Sequence, residues 1–193
     1  MYKRQGSNGV VVGISGGLDS TLALLVSVSA MKLLGKNNSD ILGVTMPGFG
    51  TTDRTYQNAI DLMKSLGVTI KKISIKDACV LHMKDIEHDS LVKDITYENT
   101  QARERTQILF DLANKHGKLL VGTGDLSELA MGWCTYNGDH MSMYGVNASV
   151  PKTLVKYLVE YVANISDKKT ADILYDVLDT PVSVSYTHLT LPT

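Results

Sequence analysis

The sequence predicts an α/β domain built on a doubly wound parallel sheet, and three observations carry that expectation. Strand and helix signals alternate along the chain, with no internal repeat and no low-complexity linker. The run at residues 9–14 is short and almost wholly apolar, as a central strand covered on both faces must be. Glycines, or proline followed by glycine, close the periodic segments where βα units turn back. With 193 residues, 44% of them hydrophobic, and a net charge of -1, the chain has enough core to fold as one unit.

Taken in order, residues 9–14 form the first strand. The helix that follows carries Leu22, Leu24, Leu25, Val28 and Leu33 as its apolar residues, and Gly35, Asn37 and Asn38 end it. Residues 41–46 read as the second strand, closed by Pro47 and Gly48. A helix over 55–66, stopped by Gly67, leads into an alternating strand over 68–75. The polar, mixed stretch 77–94 reads as loosely helical. An amphipathic helix over 96–115 turns Ile108, Leu109, Leu112 and Ala113 inward and stops at Gly117. Residues 119–122 form another buried strand, and Ser127 and Glu128 open a further helix. Ligands of such sheets sit beyond the carboxyl ends of the strands, where the strand order reverses. That rule gathers the loop after the first strand, residues 46–54 and residues 123–128 around one crevice.

Composition narrows the partners. Lysine and arginine are scattered among aspartate and glutamate, so no basic patch argues for a nucleic acid. No apolar run approaches the length of a membrane span, and no signal peptide is visible. Cys79 and Cys134 lie in apolar or aromatic contexts without a CxxC or paired histidines. They argue against a zinc site and for a reducing compartment, with the cytoplasm as the default. His82, His88, His116 and His140 are scattered and are assigned no chemical role.

The residues that carry chemistry begin where the first strand ends. Gly13-Ile14-Ser15-Gly16-Gly17-Leu18-Asp19-Ser20 sets glycines and hydroxyls at the mouth of a helix, a nest of backbone N–H groups suited to phosphate. The spacing is neither the Walker A loop nor the dinucleotide fingerprint, and no lysine follows the glycines. The pattern SGGxDS resembles the pyrophosphate loop of ATP pyrophosphatases, which cut ATP between its α and β phosphates. On that resemblance Asp19 is a magnesium ligand, since a hard cation takes oxygen ligands and a polyphosphate must be neutralised. Asp19 or Ser20 also suits a plain helix N-cap. Met46, at the end of the second strand, suits adenine recognition by its backbone and equally suits core packing. In Gly122-Thr123-Gly124-Asp125-Leu126-Ser127-Glu128, glycines flanking a hydroxyl leave room for a nucleotide. Glu128 would share the magnesium positions with Asp19. It also suits a carboxylate in a first helical turn, worth about 0.5 kcal/mol through the dipole.

Five segments taken together resemble the NAD synthetases: SGGLDST, the helix Glu98-Asn99-Thr100-Gln101-Ala102-Arg103-Glu104-Arg105, GTGDLSELAMGW, Thr135-Tyr136-Asn137-Gly138-Asp139 and Pro151-Lys152-Thr153. The likeness is to the synthetase domain of the glutamine-dependent form, because ammonia-only forms usually show GTDHAAE and TKYGDG, with a lysine in place of Tyr136. It implies the adenine nucleotide alpha hydrolase-like fold of the PP-loop ATP pyrophosphatases. By the same resemblance Gly13, Ile14, Ser15, Gly16, Gly17, Leu18, Asp19 and Ser20 bind the β and γ phosphates, Thr123 contacts ATP, as Met46 would from its strand end, and Asp19 and Glu128 hold Mg2+. Asn99, Arg103 and Glu128 meet the substrate deamido-NAD, Arg103 through its planar fork. Trp133, Cys134, Thr135 and Tyr136 wall the nicotinate end, where an aromatic face stacks on a pyridinium ring. Lys152 neutralises phosphate charge during transfer. For Trp133 ordinary core remains open, for Lys152 the surface, and for Arg105 either a phosphate ligand or a solvated helix charge.

The implied reaction has two steps, adenylation of the nicotinate carboxylate by ATP with loss of pyrophosphate, then displacement of AMP by ammonia. The implied partners are deamido-NAD, ATP, ammonia, an amidase domain of the same full-length chain, and further subunits around a homodimer core. Two rivals share the first loop. A GMP synthetase-like or tRNA-modifying pyrophosphatase keeps SGGxDS but gives no reason for GTGDLSE with the 133–136 wall, and a non-catalytic nucleotide-binding module has no need of both Asp19 and Glu128. The ends carry a separate signal. Tyr2-Lys3-Arg4-Gln5 can be encoded by TATAAGAGACAG, whose reverse complement, read in another frame, begins Val184-Ser185-Tyr186. Residues 1–5 and 184–193 are therefore expected to derive from a sequencing-library transposon adaptor, leaving 6–183 as a truncated native domain.

Overall fold

Successive side chains of a strand point to opposite faces of its sheet, so an apolar strand inside a parallel sheet feeds two cores at once. The computed structural model of the protein describes residues 6–180, and this rule organises it. Five parallel strands, β1 (Val10–Gly13), β2 (Ile41–Thr45), β3 (Thr69–Lys72), β4 (Leu119–Gly122) and β5 (Tyr144–Gly145), pair in the order β3-β2-β1-β4-β5. Val12, Ile41 and Val121 face α1 (Leu18–Leu33), α2 (Asp53–Ser65), α6 (Lys152–Ile165) and α7 (Lys168–Leu178), with Leu24, Leu62, Val159 and Leu174 fully buried among them. Val11, Leu42, Val44 and Leu120 face the other way, onto Cys79 and Met83 of α3 (Lys76–Asp85) and Leu112 and Ala113 of α4 (Ile95–His116). The chain is α/β with helices on both faces of a parallel sheet, as its alternating signals predict. It runs outward from β1 to β3, then returns to the far side of β1 for β4. The strand order therefore reverses between β1 and β4.

The differences from the sequence expectations have local causes. The strand expected over 68–75 pairs only at Thr69–Lys72, because β3 is an edge with mostly exposed side chains; beyond it single bonds from Ile73 N to Thr45 O and Ile75 N to Pro47 O follow β2. The loose helix expected over 77–94 is α3 and a turn in which Glu87 takes φ 57°. Leu33, one of the apolar residues read on the first helix, is 86% exposed, because residues 32–37 on the last turn and exit of α1 all face solvent. Gly117 ends α4 in the left-handed region, at φ 59°, and Lys118 N closes the helix onto Ala113 O at 2.9 Å. β5, α6 and α7 lie beyond the elements read from the sequence. The adaptor expectation for residues 1–5 and 184–193 lies outside the described residues, as do residues 181–183 of the expected domain. Among the described residues no helix is long and apolar enough to cross a membrane.

The α7 side chains that reach the core make this helix part of the fold. Leu174 is fully buried in the cluster that holds α1 and α2. Leu174→Ala is expected to lower unfolding free energy by about 2–5 kcal/mol, read from the midpoint of urea denaturation.

Candidate active site

The loop after β1 is shaped by its own hydroxyls and by a neighbour. Ile14 N donates to Val44 O at 2.8 Å, carrying the sheet one residue past β1. Ser20 Oγ accepts from Ser15 N at 3.2 Å and donates to Gly17 O at 3.1 Å, while Ser15 Oγ accepts from Gly17 N at 3.2 Å. Gly16 takes φ 87°, and a Cβ there would run into the backbone carbonyl of Thr55 in α2. Only glycine combines that torsion with that approach. Gly17 is the N-cap of α1 and supplies no side-chain acceptor, so neither Asp19 nor Ser20 is the cap. A helix start without a side-chain cap offers its N–H groups to an anion.

Across the strand reversal, α5 (Leu126–Met131) opens with a reciprocal capping box. Asp125 Oδ1 accepts from Glu128 N at 2.8 Å, and Glu128 Oε2 accepts from Asp125 N at 3.1 Å. Glu128 thus caps with one oxygen and turns the other inward. Lys152, the first residue of α6, sets its ammonium 2.5 Å from Asp19 Oδ2, 2.8 Å from Asp125 Oδ2 and 3.5 Å from Glu128 Oε1. Its side chain is 26% exposed, which corrects the surface reading of this lysine. Two backbone contacts dock α6 against α5: Lys152 N donates to Ser127 Oγ at 3.1 Å and Leu126 N to Val150 O at 3.0 Å.

The charges in this cluster act on one another. Burial pushes the Asp19 carboxyl up to about 6, against the pull of Lys152, and the charges of Glu128 and Asp125 push the same way as burial. Burial by itself would lower the Lys152 ammonium, but Asp125, Asp19 and Glu128 hold it above its ordinary value. One oxygen from each of Asp19, Asp125 and Glu128 lies within 4.8 Å of the others. Asp19 Oδ1 is buried and has no hydrogen-bond partner among the described residues. An all-oxygen donor set with an unused buried oxygen fits a hard divalent cation such as Mg2+.

Asn147 joins the two halves of the site. It is fully buried, and its Nδ2 donates at 2.9 Å both to Asp19 O after β1 and to Thr123 O after β4. Neither Asn147 nor Asp125 was singled out by the sequence reading. Asp125 carries a local signal, the D-x-x-E spacing of a capping box. Asn147 lies in irregular chain after β5 and carries none.

The remaining predicted residues surround this centre. Thr123, half-buried, holds the turn through its carbonyl. Met46 is buried against α4 and gives its carbonyl to Arg105 Nε at 3.2 Å. Arg105 is therefore not a solvated helix charge, and burial lowers its pKa. Gln101 Oε1 accepts from Phe49 N at 3.1 Å, so α4 braces the loop after β2 at two points. Asn99 is half-buried on α4, and Arg103 is exposed with Nε on Tyr136 O at 3.1 Å. Trp133 is half-buried, and its backbone N–H donates to Glu128 O at 2.9 Å. Cys134 and Thr135 are half-buried, Thr135 bonding Asp139 through N and Oγ1, while Tyr136 is 72% exposed. The structure brings Asp19, Glu128 and Lys152 into direct contact. Among the described residues Asn99, Arg103 and Met46 make no hydrogen bond or ion pair with that cluster.

Comparison with known proteins adds a family. The profile of the family described as NAD synthase matches residues 1–189. A glutamine-dependent NAD(+) synthetase of Mycobacterium leprae is 50% identical over 181 residues, which are 90% of this chain and 27% of that protein. An NH(3)-dependent NAD(+) synthetase of Pyrobaculum aerophilum is 39% identical over 137 residues, 71% of this chain and 49% of that one. Among solved structures, the glutamine-dependent NAD+ synthetase from Acinetobacter baumannii in complex with adenosine diphosphate superposes with a TM-score of 0.82 at 31% identity, covering 94% of this chain and 34% of the other. The chain spans about a quarter of the length of its curated glutamine-dependent relatives, 27% in the Mycobacterium case.

The raised Asp19 pKa has a definite sign for stability. The folded protein holds this proton up to about pH 6, whereas an unfolded chain releases it near 3.8. The stability so gained is complete below about pH 3.8 and is lost as the pH rises through about 6. Asp19→Asn cannot ionise, so its stability should fall less than the parent's between pH 4 and pH 8. Urea unfolding of both proteins across that range measures it.

Proposed function

Because the chain belongs to the NAD synthase family, we propose that it carries out the ATP-dependent amidation of deamido-NAD to NAD, a carbon–nitrogen ligase reaction. The observation that carries this reading is the meeting of Asp19, from the loop after β1, with Asp125 and Glu128, from the loop after β4, around Lys152 at the strand reversal. That is where a parallel sheet of this order binds nucleotides, and the α1 start beside it lacks a side-chain cap.

In the first step a nicotinate carboxylate oxygen attacks the α phosphorus of ATP, the bond to the bridging oxygen breaks, and pyrophosphate leaves. In the second, ammonia adds to the acyl carbon, the bond to AMP breaks, and nitrogen loses a proton as the carboxamide forms. Residues 13–20 hold the β and γ phosphates on backbone N–H groups. Met46 and Thr123 border the adenosine. Asp19 and Glu128, with Asp125 beside them, would hold Mg2+, which when bound neutralises charge on the polyphosphate. Lys152 supplies a mobile positive charge to the phosphates as they separate. Asn99, Arg103, Glu128 and the 133–136 segment bind deamido-NAD. No nucleophilic side chain is required, and catalysis is positioning and electrostatics.

The name of the glutamine-dependent relatives supports the further reading that ammonia comes from an amidase domain of a full-length protein. The two free cysteines fit work in the cytoplasm, and we extend the proposal to assembly through a homodimer core.

The protein supplied with deamido-NAD, ATP, Mg2+ and ammonia should release NAD, AMP and pyrophosphate in equal amounts. Asp19→Ala should cut deamido-NAD-dependent pyrophosphate release at least about 100-fold. An unchanged rate in that variant, or pyrophosphate release indifferent to deamido-NAD, would refute the assignment. ATP binding without any dependence on Mg2+ would point instead to a non-catalytic module.

A further inference from the structure

A lysine ammonium and a divalent metal ion ask for the same thing, several anionic oxygens at short range. Lys152 Nζ sits 2.5, 2.8 and 3.5 Å from oxygens of Asp19, Asp125 and Glu128. The three carboxylates that could ligate a metal ion, with ligand atoms inside 4.8 Å of one another, are these same three. A metal among them would stand about 2.0–2.6 Å from each oxygen, within the volume that the ammonium fills. Asp19 also holds an oxygen that the lysine does not use. Asp125, whose side chain has no exposed surface, gives its Oδ2 to the ammonium at 2.8 Å. Asp19 Oδ1 is buried and has no hydrogen-bond partner among the described residues.

The seat is rigid and its occupant is not. Asp125 and Glu128 are locked by their reciprocal capping bonds, and Asp19 starts a helix whose carbonyl is tied by Asn147. Lys152 reaches in on a flexible four-carbon stem from the first turn of α6, with 26% of its side chain exposed. We propose that the Lys152 ammonium is a placeholder in the cation seat, and that a divalent cation displaces it from the three carboxylates and frees it to meet the phosphates. The last part rests on the nucleotide reading above. The exchange makes the arrival of the metal the event that delivers the lysine.

Mn2+ is the probe, added to the full chain without nucleotide. Calorimetry should show Lys152→Met binding Mn2+ at least about tenfold more tightly than the parent, since a competing positive charge is gone. In the parent protein, acetylation by a water-soluble anhydride, followed by mass spectrometry, should run several-fold faster at Lys152 once Mn2+ is saturating, with Lys64 as the internal reference. Mn2+ binding by folded Lys152→Met that is no tighter, or labelling of Lys152 that Mn2+ leaves unchanged, overturns the proposal; if the variant does not fold, the labelling decides. Neither measurement uses deamido-NAD or turnover. Exchange without NAD formation would overturn the function proposed above and leave this inference standing, and NAD formation with labelling indifferent to Mn2+ would do the reverse.

Discussion

Three carboxylates gathered into a half-buried space repel one another and lose hydration, and such a group persists in ionised form only around a cation. In this protein the cation is the ammonium of Lys152, and much of the surrounding structure serves to bring that residue there. α6 must begin against α5, which Ser127 and the pairing of Leu126 N with Val150 O secure. α5 must begin with its carboxylates inward, which the capping box secures. The two loops must lie side by side, which follows from β1 and β4 being neighbours in the sheet and from the bridge made by Asn147.

Hydrogen bonds at the helix start therefore serve two ends. Glu128 caps and faces the charge cluster with different oxygens, so a residue that looks structural by position is also available for chemistry. Asp125 does likewise, with Oδ1 on the backbone and Oδ2 towards Lys152. A carboxylate fixed by one oxygen loses little freedom when the other takes a ligand, and the ordering cost is met during folding. Arg105 and Gln101 act comparably on the loop after β2, holding Met46 and Phe49 from α4.

What was legible in the sequence follows the range of the interactions. The fold class, the phosphate-type loop and the boundaries of α2 and α4 rest on local patterns, which composition and periodicity express directly. β5 was not legible, because two exposed residues carry no alternation. The ends of β3 were not, because an edge strand stops where pairing stops and not where its residues change type. Asp19, Glu128 and Lys152 were readable as candidates through the resemblance to a family, but their contact was not: Lys152 lies 133 residues from Asp19, and Asn147 lies 128 residues from it. Sequence spacing holds no information about such a contact until the sheet order is known. The α6–α7 pair illustrates the same limit, since its buried faces make sense only against α1 and α2.

The close approach of Gly16 to the Thr55 carbonyl bears on what the SGGxDS pattern can be. The loop takes its shape partly from the start of α2, a separate element of the chain, and so it is not a self-contained cassette. Grafted onto another strand-to-helix junction, the same eight letters would keep their glycines and hydroxyls but would lack the wall against which Gly16 folds. In this protein the motif is a record of its neighbourhood, shaped by the helix start that lies beside it.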